Sequence, residues 1–156
     1  MVSVGNTAPD FSMLDTTKKE RTLKEFSGRK VLLAFFPGVF TGVCTKEMCN
    51  FRDSLSRFEG MNLQVLGISV DPHYALKGFG EMNHLTFPLL SDYTRKVSEQ
   101  YCGFYNDFSG MKGFAASKRA VFVIDSKGIV RYAWVSDNPG VEPPYGEIEK
   151  AAAGIS

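Results

Sequence analysis

The sequence predicts a layered α/β fold, a mixed central sheet with helices on both faces and a hairpin at the amino-terminal end. The continuous apolar run 31–36 reads as a strand covered on both sides, and 63–70 as another buried strand. Stretches of helical periodicity alternate with them, which calls for parallel pairing with helical crossovers. Near the carboxyl end Ala120–Ile124 and Ile129–Val135 flank the turn residues Asp125-Ser126-Lys127-Gly128, a hairpin signal that adds an antiparallel part.

The first element is a short hairpin. Phe11, Met13 and Leu14 precede the polar turn from Asp15 to Glu20, and Thr22 and Leu23 follow it. Leu23 to Phe26 is expected to form one helical turn ended by Gly28. The run Val31–Phe36 is bounded by Arg29-Lys30 on one side and Pro37-Gly38 on the other. From Thr41 to Phe58, Met48, Phe51, Leu55 and Phe58 recur at three- and four-residue spacing, so a helix is expected there with a stop at Glu59-Gly60. Leu63–Val70 ends in Asp71-Pro72, a helix entrance, and His73–Met82 supplies the second helix. Phe87–Leu90 reads as a short strand. Asp92 or Thr94 can cap a helix reaching Tyr101. Gly103 to Ser117 has glycines and aromatics without period and reads as a long loop, and Ala151 to Ser156 reads as a frayed helix or tail. No linker divides the chain, so residues 1–156 are expected to form one domain.

Composition excludes more than it selects. With 44% hydrophobic and 22% charged residues the chain has globular composition rather than that of a disordered tract or a membrane span. Eighteen basic against 17 acidic residues leave a net charge of +1, too small a field to gather nucleic acid or anionic lipid. The segment Met1–Phe11 has neither a basic leader nor a continuous apolar stretch, and a cytoplasmic location is expected. Three cysteines are too few for a disulfide scaffold and suit redox chemistry or plain core packing.

The chemically informative stretch is Phe36-Pro37-Gly38-Val39-Phe40-Thr41-Gly42-Val43-Cys44-Thr45-Lys46-Glu47-Met48-Cys49. It runs from the carboxyl end of a central strand into the first turn of a helix, where open α/β sheets place their ligands. Unpaired N–H groups and the helix dipole favour a thiolate there, so Cys44 is expected to have a lowered pKa. Thr41 lies on the same turn, where its hydroxyl can orient a substrate and contact the sulfur. Pro37 can wall the pocket with apolar surface. Taken singly, Thr41 is equally a helix N-cap and Pro37 a strand terminator. The segment alone reaches no further than a reactive cysteine.

The spacing Pro37, Thr41, Cys44 resembles the Pro-x-x-x-Thr-x-x-Cys signature of the peroxiredoxins. Gly5-Asn6-Thr7-Ala8-Pro9-Asp10-Phe11, Ser69-Val70-Asp71 and Phe87-Pro88-Leu89-Leu90-Ser91-Asp92 resemble three further segments of that family, in the same order. The resemblance implies a thioredoxin-like fold and a thiol peroxidase whose Cys44 attacks a hydroperoxide and becomes sulfenic acid. It also implies an arginine from a later strand, matched by Arg119, fixed by a carboxylate three residues after the cysteine, matched by Glu47. Without the family, Arg119 is a strand-edge charge and Glu47 a surface acid.

The thiol that closes the cycle is open at this level. Residues 44 and 49, five apart on a helix, are separated by about 7.5 Å of rise and roughly 140° of rotation. A disulfide tolerates a Cα separation of up to about 7 Å, so a Cys44–Cys49 bridge requires the helix to unwind. That arrangement is similar to the bacterioferritin-comigratory type of peroxiredoxin, with thioredoxin or a similar dithiol donor as reductant. The flanking Phe-Phe-Pro-Gly-Val-Phe and the late Glu142-Pro143-Pro144-Tyr145 look more like one-cysteine subfamilies served by an external thiol. Cys102 is expected to be a packing residue. No metal or cofactor is expected, because Cys44 and Cys49 lack the Cys-x-x-Cys spacing and neither His73 nor His84 joins them in a ligand pattern. Phe36, Phe40 and Phe114 are expected near the pocket, and a monomer and a homodimer are both compatible with the sequence. The rival readings are a disulfide exchanger, which the missing Cys-x-x-Cys disfavours, and a peroxide sensor or thiol–disulfide relay protein.

Overall fold

In the computed structural model, which describes residues 1–156, the chain forms nine strands and five α-helices. In chain order these are β1 (Ser12–Asp15), β2 (Glu20–Thr22), β3 (Lys30–Phe35), α1 (Gly42–Asp53), α2 (Leu55–Gly60), β4 (Leu63–Ser69), α3 (His73–Met82), β5 (Leu89–Ser91), α4 (Lys96–Tyr101), β6 (Phe104–Tyr105), β7 (Ala116–Ser117), β8 (Arg119–Ile124), β9 (Val130–Ser136) and α5 (Tyr145–Ala153). A 3₁₀ turn at Lys24–Phe26 follows the first hairpin. Seven strands make one sheet in the order β2-β1-β5-β4-β3-β8-β9. β3, β4 and β5 are parallel, whereas β1 runs antiparallel to β5 and β8 antiparallel to β3. The sheet is therefore mixed, and the fold is thioredoxin-like.

Alternation along the central strands explains why both faces need cover. Val31, Leu33 and Phe35 of β3 join Phe11, Phe26, Tyr101, Cys102 and Phe122 in one core. Leu32, Ala34 and Phe36 point the other way, into a second core with Cys44, Met48, Phe51, Phe79 and Ile148. Period-two side-chain alternation sends neighbouring residues of one strand to opposite layers. As a result α1, α2, α3 and α5 cover one face, and α4 with the amino-terminal segment covers the other.

Three expectations need correction. The predicted helix from 41 to 58 is two helices, broken at Ser54 (φ −93°, ψ 0°), where the chain turns to bring Phe58 into the core beside Phe51. The stretch 103–117 is not a plain loop, since Phe104 pairs with Ser117 and Tyr105 with Ala116. The frayed helix or tail expected at 151–156 is the end of a longer helix, 145–153, that starts earlier than the sequence suggested, its Ile148 and Ala152 fully buried at helical spacing. The two prolines before it and its Glu and Lys content hid a short amphipathic pattern.

The ends of elements are held by side chains that the sequence advertised. Buried Asp92 accepts the N–H groups of Val97 at 3.2 Å and Ser98 at 2.6 Å, and so holds the first turn of α4. The final hairpin turns on Asp125, whose Oδ1 accepts from the amides of Lys127 and Ile129, with Gly128 in the left-handed region at φ +85°.

Candidate active site

β3 delivers Phe36 and the buried Pro37 and Gly38 to the carboxyl edge of the sheet, and α1 starts at Gly42. The six residues between strand and helix are tied to the neighbouring strand end. Val39 donates its N–H to Asp71 Oδ2 at 3.0 Å, and Ser69 donates its hydroxyl to the same oxygen at 2.7 Å. Phe40 adopts φ +61°, a left-handed conformation that is strained for a bulky side chain. Its ring stays about half exposed and meets Phe79 edge to face.

Thr41 precedes the helix in extended conformation but makes no side-chain cap. Its hydroxyl donates to the Gly38 carbonyl at 3.0 Å. One turn on, Cys44 is fully buried, with Thr41 and the Gly38 amide as polar neighbours of its sulfur.

Arg119, at the start of β8, reaches the same point from across the sheet because Phe35 of β3 pairs with Ala120. Its Nη2 donates to Cys44 Sγ at 3.2 Å and its Nη1 to Glu47 Oε1 at 2.8 Å. Nε and Nη2 both donate to the Pro139 carbonyl, at 3.2 and 2.9 Å. Its backbone N–H bonds the hydroxyl of Tyr105, which in turn donates to the Ser136 carbonyl. Arg119 and Glu47 are essentially inaccessible to solvent, so neither is the strand-edge or surface charge that its position in sequence suggested. A planar guanidinium with several donors in one fork suits this task in a way that an ammonium does not.

Burial reverses one expectation. Enclosure in the core pushes the Cys44 thiol above its ordinary value, and Arg119, Thr41 and the Gly38 amide recover only part of that rise. The helix start does not give the low pKa expected from sequence, because desolvation of a fully enclosed sulfur outweighs it. Glu47 is moved in the same way, up to about 8 by burial against the pull of Arg119. Arg119 stays protonated, since the two acids beside it outweigh its own desolvation.

The structure thus brings together Pro37, Thr41, Cys44, Glu47 and Arg119, and it does not bring Cys49 to them. Cys49 follows on the uninterrupted helix α1, half-buried, with its Sγ directed at Asn83 Oδ1 at 3.8 Å. Cys102 lies in the opposite core, across the sheet from Cys44, beside Ser117, with its thiol pushed up to about 12 by burial. All three cysteines are free. Phe36 and Phe40 flank Phe79 as expected near the site, whereas Phe114 packs under Arg95 instead. Sequence reading missed the Pro139 carbonyl and Tyr105. A backbone acceptor leaves no side-chain signal, and Tyr105 sits in the stretch that showed no periodicity. No group of three or more His, Cys, Asp or Glu side chains converges as a metal site.

A cysteine sulfur forked to an arginine, beside a hydroxyl and a backbone amide, can attack an electrophilic oxygen and stabilise the charge that develops. Residues 4–133 match the model of the AhpC/TSA family. The chain is 41% identical over 136 residues to alkyl hydroperoxide reductase E of Mycobacterium tuberculosis, covering 85% of each chain. It is 38% identical over 130 residues to the putative peroxiredoxin bcp of Haemophilus influenzae, covering 83% of each. Among solved structures it resembles the peroxidoxin BcpB of M. tuberculosis with a TM-score of 0.83 and 31% identity, over 98% of this chain and 96% of the other.

Proposed function

Because the chain belongs to the AhpC/TSA family of peroxiredoxins, whose chemistry is thiol-based peroxide reduction, we propose that it is a hydroperoxide reductase with Cys44 as its nucleophile. The observation that carries this reading is the fork of Arg119 between Cys44 Sγ and Glu47.

In the first step the Cys44 thiolate attacks the terminal oxygen of R–O–OH. The S–O bond forms as the O–O bond breaks, the sulfur is oxidised to sulfenic acid, and the departing alkoxide takes a proton to leave as alcohol or, from hydrogen peroxide, as water. Arg119 and the Gly38 amide offer donors to the reacting atoms, and Thr41 orients the peroxide. Pro37 and the Phe36–Phe79–Phe40 cluster keep water away, which strengthens these contacts. The enclosed sulfur is reached by displacement of the strained, exposed Phe40 segment.

Cys49 then condenses with the sulfenic acid, giving a Cys44–Cys49 disulfide and water. A thioredoxin-like dithiol donor restores both thiols while its own pair is oxidised. Cys102 takes no part because the sheet stands between it and Cys44. The bridge requires the amino-terminal turns of α1, entered through the exposed Gly42, to unwind. The continuity of α1 and the contact of Cys49 with Asn83 favour a second reading, in which an external thiol resolves the sulfenic acid.

Rapid mixing of the reduced protein with hydrogen peroxide, followed by mass analysis, tests both. Cys44→Ser should abolish fast consumption, and unchanged consumption would remove the assigned nucleophile. Oxidised wild type should have lost a pair of hydrogens to an internal disulfide, and Cys49→Ser should accumulate sulfenic acid. Wild type that stops at sulfenic acid until a thiol is added would establish external resolution.

A further inference from the structure

Cys44 and Glu47 are two buried acids facing one buried cation. Arg119 contacts each through a different nitrogen, and the second carboxyl oxygen of Glu47, Oε2, has no hydrogen-bond partner although the side chain is fully inaccessible. A fully buried carboxylate oxygen that no protein group donates to is an expensive way to hold charge. Two anions against one guanidinium would also leave a net negative charge sealed in the core. A proton on the carboxyl removes the net charge and leaves a neutral hydroxyl, far less costly to bury than an anion. From α5 and the segment before it, Tyr145 and Glu142 face the same carboxyl. Neither relieves it, since Glu142 adds negative charge and Tyr145 donates its hydroxyl to Glu142.

We propose that Cys44 and Glu47 share a single negative charge opposite Arg119, so that Glu47 carries a proton on its free oxygen whenever Cys44 is a thiolate. The two arrangements, thiol with carboxylate and thiolate with carboxylic acid, differ only in which group keeps the proton. Glu47 therefore does more than hold Arg119 in place. It competes with the sulfur for the guanidinium charge and restrains thiolate formation until the proton moves to it. It acts as a positioning residue for charge, working through Arg119 rather than on the peroxide. The proton balance of the first step closes with it. As sulfur loses its charge to become sulfenic acid, Glu47 ionises against the vacated guanidinium, and the proton it releases matches the one the alkoxide takes up. Burial, which drives the carboxyl up to about 8, acts in the same direction.

The inference rests on the peroxidase reading for its meaning, but its test uses no peroxide, so the two can fail separately. Titration of thiolate ultraviolet absorbance in the reduced chain, with Cys49→Ser and Cys102→Ser in the background, follows Cys44 alone. Adding Glu47→Gln keeps an oxygen for Arg119 Nη1 and removes the competing charge. The thiolate midpoint should then fall by about one pH unit or more, roughly a tenfold gain in thiolate at a fixed pH. If Glu47 only anchors the arginine, loosening that anchor withdraws positive charge from the sulfur and the midpoint rises. An unchanged or raised midpoint overturns the proposal. Infrared spectra of the wild-type chain at a pH where the absorbance titration shows Cys44 to be ionised should show a neutral carboxylic acid carbonyl that disappears in Glu47→Gln, and its absence from wild type there would also overturn the proposal.

Discussion

Replacement of Arg119 by lysine keeps a positive charge at the site and removes the fork. The guanidinium serves Cys44, Glu47 and the Pro139 carbonyl through four hydrogen bonds between 2.8 and 3.2 Å. One ammonium on a shorter reach cannot serve three acceptors placed around a plane, so the bond to the sulfur is the one expected to go, because Glu47 and Pro139 retain stronger acceptors. A hydrogen bond to a charged group contributes about 1.5–3 kcal/mol, and loss of it where charge develops should slow reaction with peroxide roughly 10- to 150-fold. Stopped-flow consumption of hydrogen peroxide by the reduced protein measures this. Circular dichroism and the thermal midpoint should show that Arg119→Lys is folded. Arg119→Met, which removes the charge as well, should be slower still. A folded lysine variant reacting within about threefold of wild type would refute the claim that the geometry of the guanidinium, rather than its charge, stabilises the transition state.

Other consequences follow from burial and packing. Because the Cys44 thiol lies above its ordinary value, the thiolate fraction at neutrality is small, and the rate constant with peroxide should climb about tenfold per pH unit from neutrality upward. A rate already flat below neutrality would mean that the sulfur is a thiolate despite its enclosure. Asp92→Ala removes both acceptors at the start of α4 and leaves the buried amides of Val97 and Ser98 unpaired, a loss of about 2 kcal/mol or a fall of roughly 4–8 °C in Tm, with Asp92→Asn recovering part of it. A calorimetric scan superimposing on wild type would count against that cap. Gly67 lies where an added Cβ would come within 2.7 Å of Leu89 Cδ2 and 3.4 Å of Met48 Sδ, so Gly67→Ala should cost about 1–3 kcal/mol by overpacking. Urea unfolding with an unshifted midpoint would show that Leu89 moves aside freely.

What could be read directly from the chain was whatever is encoded within one local segment. Alternation in Val31–Phe36 sends three side chains to each core, and that is why the two-faced sheet was legible before any coordinates. Pro37, Thr41 and Cys44 were legible for the same reason, since they occupy one strand end and one helical turn, and their mutual placement follows from backbone geometry alone. The carboxyl-terminal helix and the small sheet of β6 and β7 were not, being too short for periodicity to separate from noise and stabilised by packing against distant elements.

Arg119 and Glu47 could be named only by resemblance, because 72 residues separate them. Their contact exists because β8 pairs antiparallel with β3 in one register, placing residue 119 beside the strand end that leads to Cys44. The state of the sulfur was decided at the same level. Local position at a helix start pointed to a thiolate, whereas enclosure in the core raises the Cys44 thiol against the pull of Arg119. Desolvation is a property of everything packed around a group, so its sign emerges only when the chain has closed on itself.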